Sequence, residues 1–261
     1  MGGGLLLGWA VRTYLSDSSW VTPNPRILRI GSLNTWGTFS DWPSRLSALQ
    51  KLNPAGSLDV LLAQEVCIGD EVNQLEELSQ AFDLPYHAYH SDKETHGLHE
   101  GVAILCREPL TTVSRTNLGN GRVLIAADSF GRLTLACAHL SFEGRERSEQ
   151  VKALLKRVSL SRVVLGGDFN GELSTFEEAL DRYWADSTDD TPTWPVCGEN
   201  TFRDAWEAFT GRPVNFSLEP RRVDYILTRG LKPVRSATVA LEADGVFVSD
   251  HALVTSEVEL L

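Results

Sequence analysis

The sequence contains no Cys-x-x-Cys pair, no Gly-x-Ser-x-Gly elbow and no apolar run long enough to cross a membrane. Each lack excludes something. Four cysteines, Cys67, Cys106, Cys137 and Cys197, lie far apart, and three sit inside apolar strand-like runs. That is the pattern of buried free thiols in a reducing compartment rather than of zinc ligands or disulfides. Without the elbow there is no reason to seek a nucleophilic serine. The glycine- and leucine-rich stretch from Met1 to Val11 is too short for a span and lacks a basic leader. Leu6 stands where a myristoylation signal needs Ser or Thr. Basic charge is also scarce: 24 Lys and Arg face 35 acidic residues, for a net charge of −11 and a pI near 5.0. A polyanionic duplex would meet net repulsion, which argues against a processive nucleic-acid binder but not against cutting one phosphodiester. The expectation is a cytoplasmic monomer with no transmembrane helix and no stable protein partner.

What is present is an ordinary globular composition, 42% apolar and 23% charged, with strands and helices interleaved and no repeat or linker. Residues 1–25 read as an N-terminal extension and 26–261 as one domain. Strands are predicted at 27–34, 59–65, 101–107, 122–128, 132–140, 162–168, 223–227, 234–241 and 252–260. Leucine spacing predicts helices at 45–52 and 70–82, and further helices are expected at 143–158, 175–184 and 202–209. A Thr/Pro/Asp-rich stretch, 186–200, reads as a long irregular loop whose length asks for a functional explanation. Interleaved elements of this kind make stacked α/β layers.

Polar side chains interrupt the apolar strands only at their ends. Asn34 follows Leu33, Glu65 follows Leu61-Leu62-Ala63-Gln64, His139 follows Cys137-Ala138, Asp168 follows Val163 to Gly167, and Asp250-His251 opens the last strand. Buried carboxylates without an adjacent Arg or Lys are costly unless paired or metal-bound. Asn, Asp and Glu oxygens together suit Mg2+ or Mn2+ better than zinc. In Gly166-Gly167-Asp168-Phe169-Asn170 two readings stand: a strand exit aiming Asp168 and Asn170 into one cleft, or a turn whose Asn caps a helix.

Seven segments in one order resemble the endonuclease/exonuclease/phosphatase superfamily: Leu33-Asn34-Thr35-Trp36, Gln64-Glu65-Val66, Gly101 to Leu105, Ala138-His139-Leu140, Gly167-Asp168-Phe169-Asn170, Val223-Asp224-Tyr225-Ile226 and Ser249-Asp250-His251. The resemblance runs from about Ile27 to the C-terminus. It implies a four-layer α/β sandwich, two packed mixed β-sheets flanked by helices, and a Mg2+- or Mn2+-dependent hydrolase of phosphate esters.

Residue by residue, the resemblance implies Glu65, Asp250 and Asn34 around the metal, with Asn34 also positioning water or phosphate. Asp168 and Asn170 would orient the attacking water and contact the scissile phosphate. His251 would be the essential histidine, either moving a proton or stabilising charge, with its tautomer fixed by Asp224. Glu100 would pair with His139, which would donate to a phosphate oxygen; the alternative for Glu100 is a solvated loop residue. Where abasic-site endonucleases carry an aspartate, this chain has Trp36, a departure from the DNA-repair branch. Trp36, Phe39 and Trp42 form either an aromatic wall beside the site or simple packing of the first loop. Arg147 and Gln150 resemble a feature that packs a helix on the site loops, and Arg145 either reaches phosphate or makes surface salt bridges.

The substrate stays open among nucleic acid, nucleotide, and lipid or sugar headgroups, because one centre serves all of them. A different class of reading is a non-catalytic module that binds a phosphate ligand on the same fold.

Overall fold

The structure, a computed structural model, describes residues 26–158, 162–171, 196–201 and 222–260. Two six-stranded sheets face each other. The first runs in the order β11 (Lys232–Val239), β14 (Leu253–Leu260), β1 (Arg26–Asn34), β2 (Val60–Ile68), β4 (Leu98–Cys106) and β3 (Tyr86–Thr95). The second runs β5 (Thr111–Gly119), β6 (Arg122–Ser129), β7 (Leu133–His139), β8 (Val163–Asp168), β10 (Arg222–Arg229) and β9 (Val196–Thr201). Each sheet is mixed, with β1 parallel to β2 and β7 parallel to β8 among antiparallel neighbours.

Three apolar layers hold the sandwich. Between the sheets lie Leu28, Ile30 and Leu62 of the first and Leu135, Val164 and Ile226 of the second. On the outer face of the first sheet, Leu33, Leu61 and Ala63 pack against α1 (Trp42–Leu52) and α2 (Gln74–Phe82) through Leu49, Leu78 and Phe82. On the outer face of the second, Leu165 meets Val151 and Leu154 of α3 (Gly144–Arg157). This is the four-layer α/β sandwich expected.

Side chains alternate across a strand with a period of two, so the inter-sheet faces can be followed to their ends. Leu28 and Ile30 lead to Ser32 and Asn34 on β1; Leu135 and Cys137 lead to His139 on β7; Val164 and Gly166 lead to Asp168 on β8; Ile226 leads to Asp224 on β10. The polar residues are thus the continuation of one apolar layer, at one end of the sandwich. Register keeps them level, with Asn34 opposite Gln64 and Asp168 opposite both His139 and Asp224.

Several elements differ from the sequence prediction. β3 and β5 are strands whose side chains are largely exposed and polar, so they carry little of the apolar signal that marks a strand. Within the predicted 186–200 loop, residues 196–200 belong to β9, hydrogen-bonded along β10. The rest of that loop and the helices expected at 175–184 and 202–209 lie outside the described residues. α1 begins three residues early, with Pro43 in its first turn, where a missing N–H costs nothing. α2 begins at Gln74 because the Asn73 side chain accepts from Glu76 N at 3.2 Å and caps it. A small hairpin, β12 (Glu242–Ala243) with β13 (Val246–Phe247), turns on Asp244-Gly245, both at positive φ. Cys67, Cys106 and Cys137 are buried free thiols.

Candidate active site

Glu65 reaches the site through a bulge. Pairing of β2 with β4 shifts register between Ala63 and Val66, and Glu65 itself sits at φ +55. The extra residue lets Val66 stay in the outer apolar layer while Glu65 turns toward the end of the sandwich. Trp36 at φ +60 and Asn170 at φ +51 are likewise left-handed, so three site residues hold a backbone conformation that L-residues seldom adopt. Gly167 has no alternative for a different reason: a Cβ there would lie 1.9 Å from Ala138 O on β7.

Asn34, 1% exposed, is the strap of the cluster. Its Nδ2 donates to Glu65 Oε1 at 3.0 Å and to Asp168 Oδ2 at 3.1 Å, while its Oδ1 accepts from Trp36 N at 2.9 Å. The other Asp168 oxygen accepts from Asn170 N at 2.9 Å. Burial, and then the neighbouring Asp224, raises the Asp168 carboxyl to about 7. Burial also pushes Glu65 and Asp250 above the usual carboxylate range. Neither forms an ion pair with Lys or Arg among the described residues.

His251 Nδ1 lies 2.7 Å from Asp224 Oδ2, the contact expected of that pair. Burial works against a proton on the ring, but Asp224, with Asp168 and Asp250, outweighs it and raises the imidazole to about 10. Ligand atoms of Asp168, Asp224 and His251 all fall within 4.8 Å of one another, and Asp224 Oδ1 is buried without a hydrogen-bond partner among the described residues. Ser249 fixes the loop that carries His251: its hydroxyl donates to Asn34 O at 2.6 Å and accepts from His251 N at 3.0 Å.

The expected Glu100–His139 pair does not form. The Glu100 carboxylate is held by Lys93 Nζ at 2.8 and 2.9 Å. His139 Nε2 instead receives Arg122 Nη1 at 2.7 Å and Asn170 Nδ2 at 3.1 Å. Both partners only donate, so Nε2 is an acceptor and the ring is neutral. Burial first, then Arg122, holds its pKa well below the usual value. The arrangement is the reverse of the donor role expected for His139. A lysine seven residues back along the β3–β4 hairpin is a nearer partner for Glu100 than the far strand.

Two arginines of the site escape a reading of strand ends. Arg122 opens β6, and Arg45, buried in α1, reads in sequence as an ordinary helix residue. Arg45 Nη1 donates to Thr35 O and Val248 O at 2.7 and 2.8 Å; Nη2 donates to Gly37 O and Phe39 O at 2.7 and 2.8 Å. It pins the loop after Asn34 to the loop before Asp250. The only sequence signal was a basic residue among the buried positions of a leucine stripe.

The remaining expectations divide. Trp42 is core, 5% exposed, with Nε1 bonded to Glu77 at 2.8 Å, so it belongs to no wall. Trp36 and Phe39 stack at 6.4 Å beside the site. Gln150 Oε1 accepts from Ser141 N at 2.8 Å and Arg147 Nη1 donates to Ser141 O and Phe142 O, docking α3 on the loop after His139. Arg145 is exposed on the first turn of α3 and makes no hydrogen bond or ion pair with the cluster.

A model of the Endonuclease/Exonuclease/phosphatase family matches residues 31–251, which spans every residue of this cluster. The chain belongs to that family. Its members are mostly hydrolases of phosphate esters, and they generally use a divalent metal ion. Solved structures agree on the fold. A family protein from Beutenbergia cavernae has a TM-score of 0.67 at 18% identity, over 90% of this chain and 72% of that one. A family protein from Leptotrichia buccalis gives 0.61 at 18%, over 89% and 99%. TDP2 of D. rerio, solved with a single-strand DNA product, gives 0.64 at 17%, over 89% and 98%. No curated protein matches the chain in sequence. No helix among the described residues is long and apolar enough to cross a membrane.

Proposed function

We propose that the chain is a Mg2+-dependent hydrolase of phosphate esters working by in-line attack of water, with residues 26–261 as the catalytic domain. The convergence of Asn34, Glu65, His139, Asp168, Asn170, Asp224, Asp250 and His251 at one end of the inter-sheet layer carries this reading. A hard divalent cation fits the donors present. Glu65 and Asp250 are partly buried carboxylates pushed up by desolvation, and a cation is what would bring them down. These two residues would hold it, and Asn34 would orient Glu65 through its amide nitrogen. When bound, the ion supplies neutralisation of phosphate and leaving-group oxygen.

The protein's own groups divide the remaining work. Asp168, balanced near 7 and braced by Asn34 and Asn170, is suited to align a water and take its proton. His251 carries its proton at neutral pH, which suits it to stabilise the pentacovalent charge or to protonate the leaving oxygen rather than to act as base. Asp224 holds that imidazolium in orientation. Arg122 and Asn170 place N–H donors around His139, so the ring acts as their anchor.

Turnover of a chromogenic phosphodiester with Mg2+, stopped by EDTA and abolished in Asp168→Asn, is the expected result. An absence of turnover on plasmid DNA, short RNA, sphingomyelin and sugar phosphates with either Mg2+ or Mn2+ would instead favour a module that only binds phosphate ligands.

A further inference from the structure

A cavity of about 450 Å3, lined in part by Asp250 and His251, extends past these hydrolytic groups to Trp36, Ser44 and Val246. Its size lies within the roughly 300–1,000 Å3 typical of small-molecule sites. One wall is the loop carrying Trp36 and the first turn of α1; the opposite wall is the Asp244-Gly245 hairpin, which presents Val246 and Phe247. Most of its surface is apolar.

We infer that this cavity is a specificity pocket for one uncharged planar ring, of nucleobase size, attached to the phosphate being cut. The inference rests on the hydrolase reading above and names the substrate group that reading leaves open. Three observations select the occupant. First, Asp41 stands on the wall, while the Arg45 guanidinium there donates to four backbone carbonyls and His251 is held by Asp224, so a second phosphate of a polyanionic strand would meet a carboxylate and no uncommitted basic group. Second, Arg45 lies 5.4 Å from the Trp36 ring centroid and 4.9 Å from that of Trp42. The Trp36 ring is therefore already engaged with a fixed cation, which disfavours a quaternary ammonium headgroup in the same place. Third, Trp36 cannot readily move: its backbone N–H is tied to Asn34 Oδ1, its ring stacks on Phe39, and Arg45 sits over it. With Phe39 stacked on Trp36 and Arg45 over its ring, the cavity offers a flat neutral group edge-to-face contact with Trp36 and Phe247 among apolar neighbours rather than an open stacking face.

The test compares two diesters with one leaving group, thymidine 5′-(p-nitrophenyl phosphate) and methyl p-nitrophenyl phosphate. The wild type is expected to favour the thymidine ester at least about tenfold in kcat/KM. Ser44→Trp, from the exposed first turn of α1, and Val246→Trp, from the hairpin, should each lower that preference at least about tenfold by filling the pocket from opposite sides. Thermal melting identifies a variant that fails to fold, and the other then decides. A wild-type preference near one, or a preference unchanged in the folded variants, overturns the assignment. So does a stronger preference for p-nitrophenyl phosphorylcholine. If no ester is turned over at all, the hydrolase reading fails and the pocket is judged separately, by calorimetric titration of thymidine into EDTA-treated protein. Saturable binding lost in Ser44→Trp supports it, and no binding overturns it.

Discussion

The two sheets contribute unlike halves to one cluster. The second sheet supplies His139, Asp168 and Asp224, all 6% exposed or less and set in register on three adjacent strands. There burial and close neighbours decide protonation, so a carboxylate is balanced near 7 and an imidazole is stripped of its proton. The first sheet supplies Asn34 and Glu65, and Glu65 is turned out by a bulge to a side-chain exposure of 19%. With Asp250 nearby, that half offers oxygen atoms and access. One apolar layer thus ends in two unlike settings, a regular strand end suited to proton handling and an irregular one that, in the function proposed, would bind the ion.

If the halves are separate in function, they should fail in different ways. The largest effect is expected for His251→Ala and Asp224→Asn, each lowering kcat by about 10²–10⁴-fold with the Mg2+ concentration for half-maximal rate unchanged. Glu65→Gln should do the opposite, raising the Mg2+ needed by about tenfold or more, a scale known even for outer-shell changes around metals. Mg2+ titrations of initial rate on the two classes measure both, and identical profiles would erase the division.

Proton linkage gives a smaller signal, from the Asp224–His251 contact that joins the two halves. In EDTA-treated protein His251 has a folded pKa raised to about 10 against 6.5 for a free imidazole. Its contribution to stability is complete below 6.5, falls as pH rises between those values, and is gone above the upper one. Asp168, raised to about 7, titrates below that window's upper half. Urea midpoints should therefore decline between about pH 7.5 and 9.5, and His251→Ala should flatten the decline. The smallest effect is expected at Glu100. Its partner is Lys93, itself 49% exposed, so Glu100→Gln should change kcat/KM by less than about threefold. A loss as large as that of Asp224→Asn would restore a role for Glu100 at the centre.

What could be read in advance follows from periodicity. Strands with an apolar inter-sheet face show it in sequence, and a polar residue where the alternation should continue, as at Asn34, His139 and Asp168, is visible without coordinates. Glu65 was visible as a residue but not as a bulge, because the extra residue shows only when β2 is paired with β4. The Asp224–His251 contact was implied by motif; the Lys93–Glu100 and Arg122–His139 contacts were not, since both depend on which long side chain arrives first. Arg45 was hidden by its setting in a helix. The Asp244-Gly245 hairpin could have been found, because that dipeptide is a strong turn signal between short apolar runs.

Arg45 donates to the Val248 carbonyl 203 residues further along the chain, and β14 lies directly beside β1. During synthesis the first strand, the bulged Glu65 and the α1 loop emerge long before Asp224, Ser249 and His251. The geometry of the candidate site then depends on contacts of long sequence separation, the kind that form late because loop closure must come first. A growing chain can bury its layers progressively while the candidate site stays unassembled until β14 docks beside β1, so the proposed activity would report that docking.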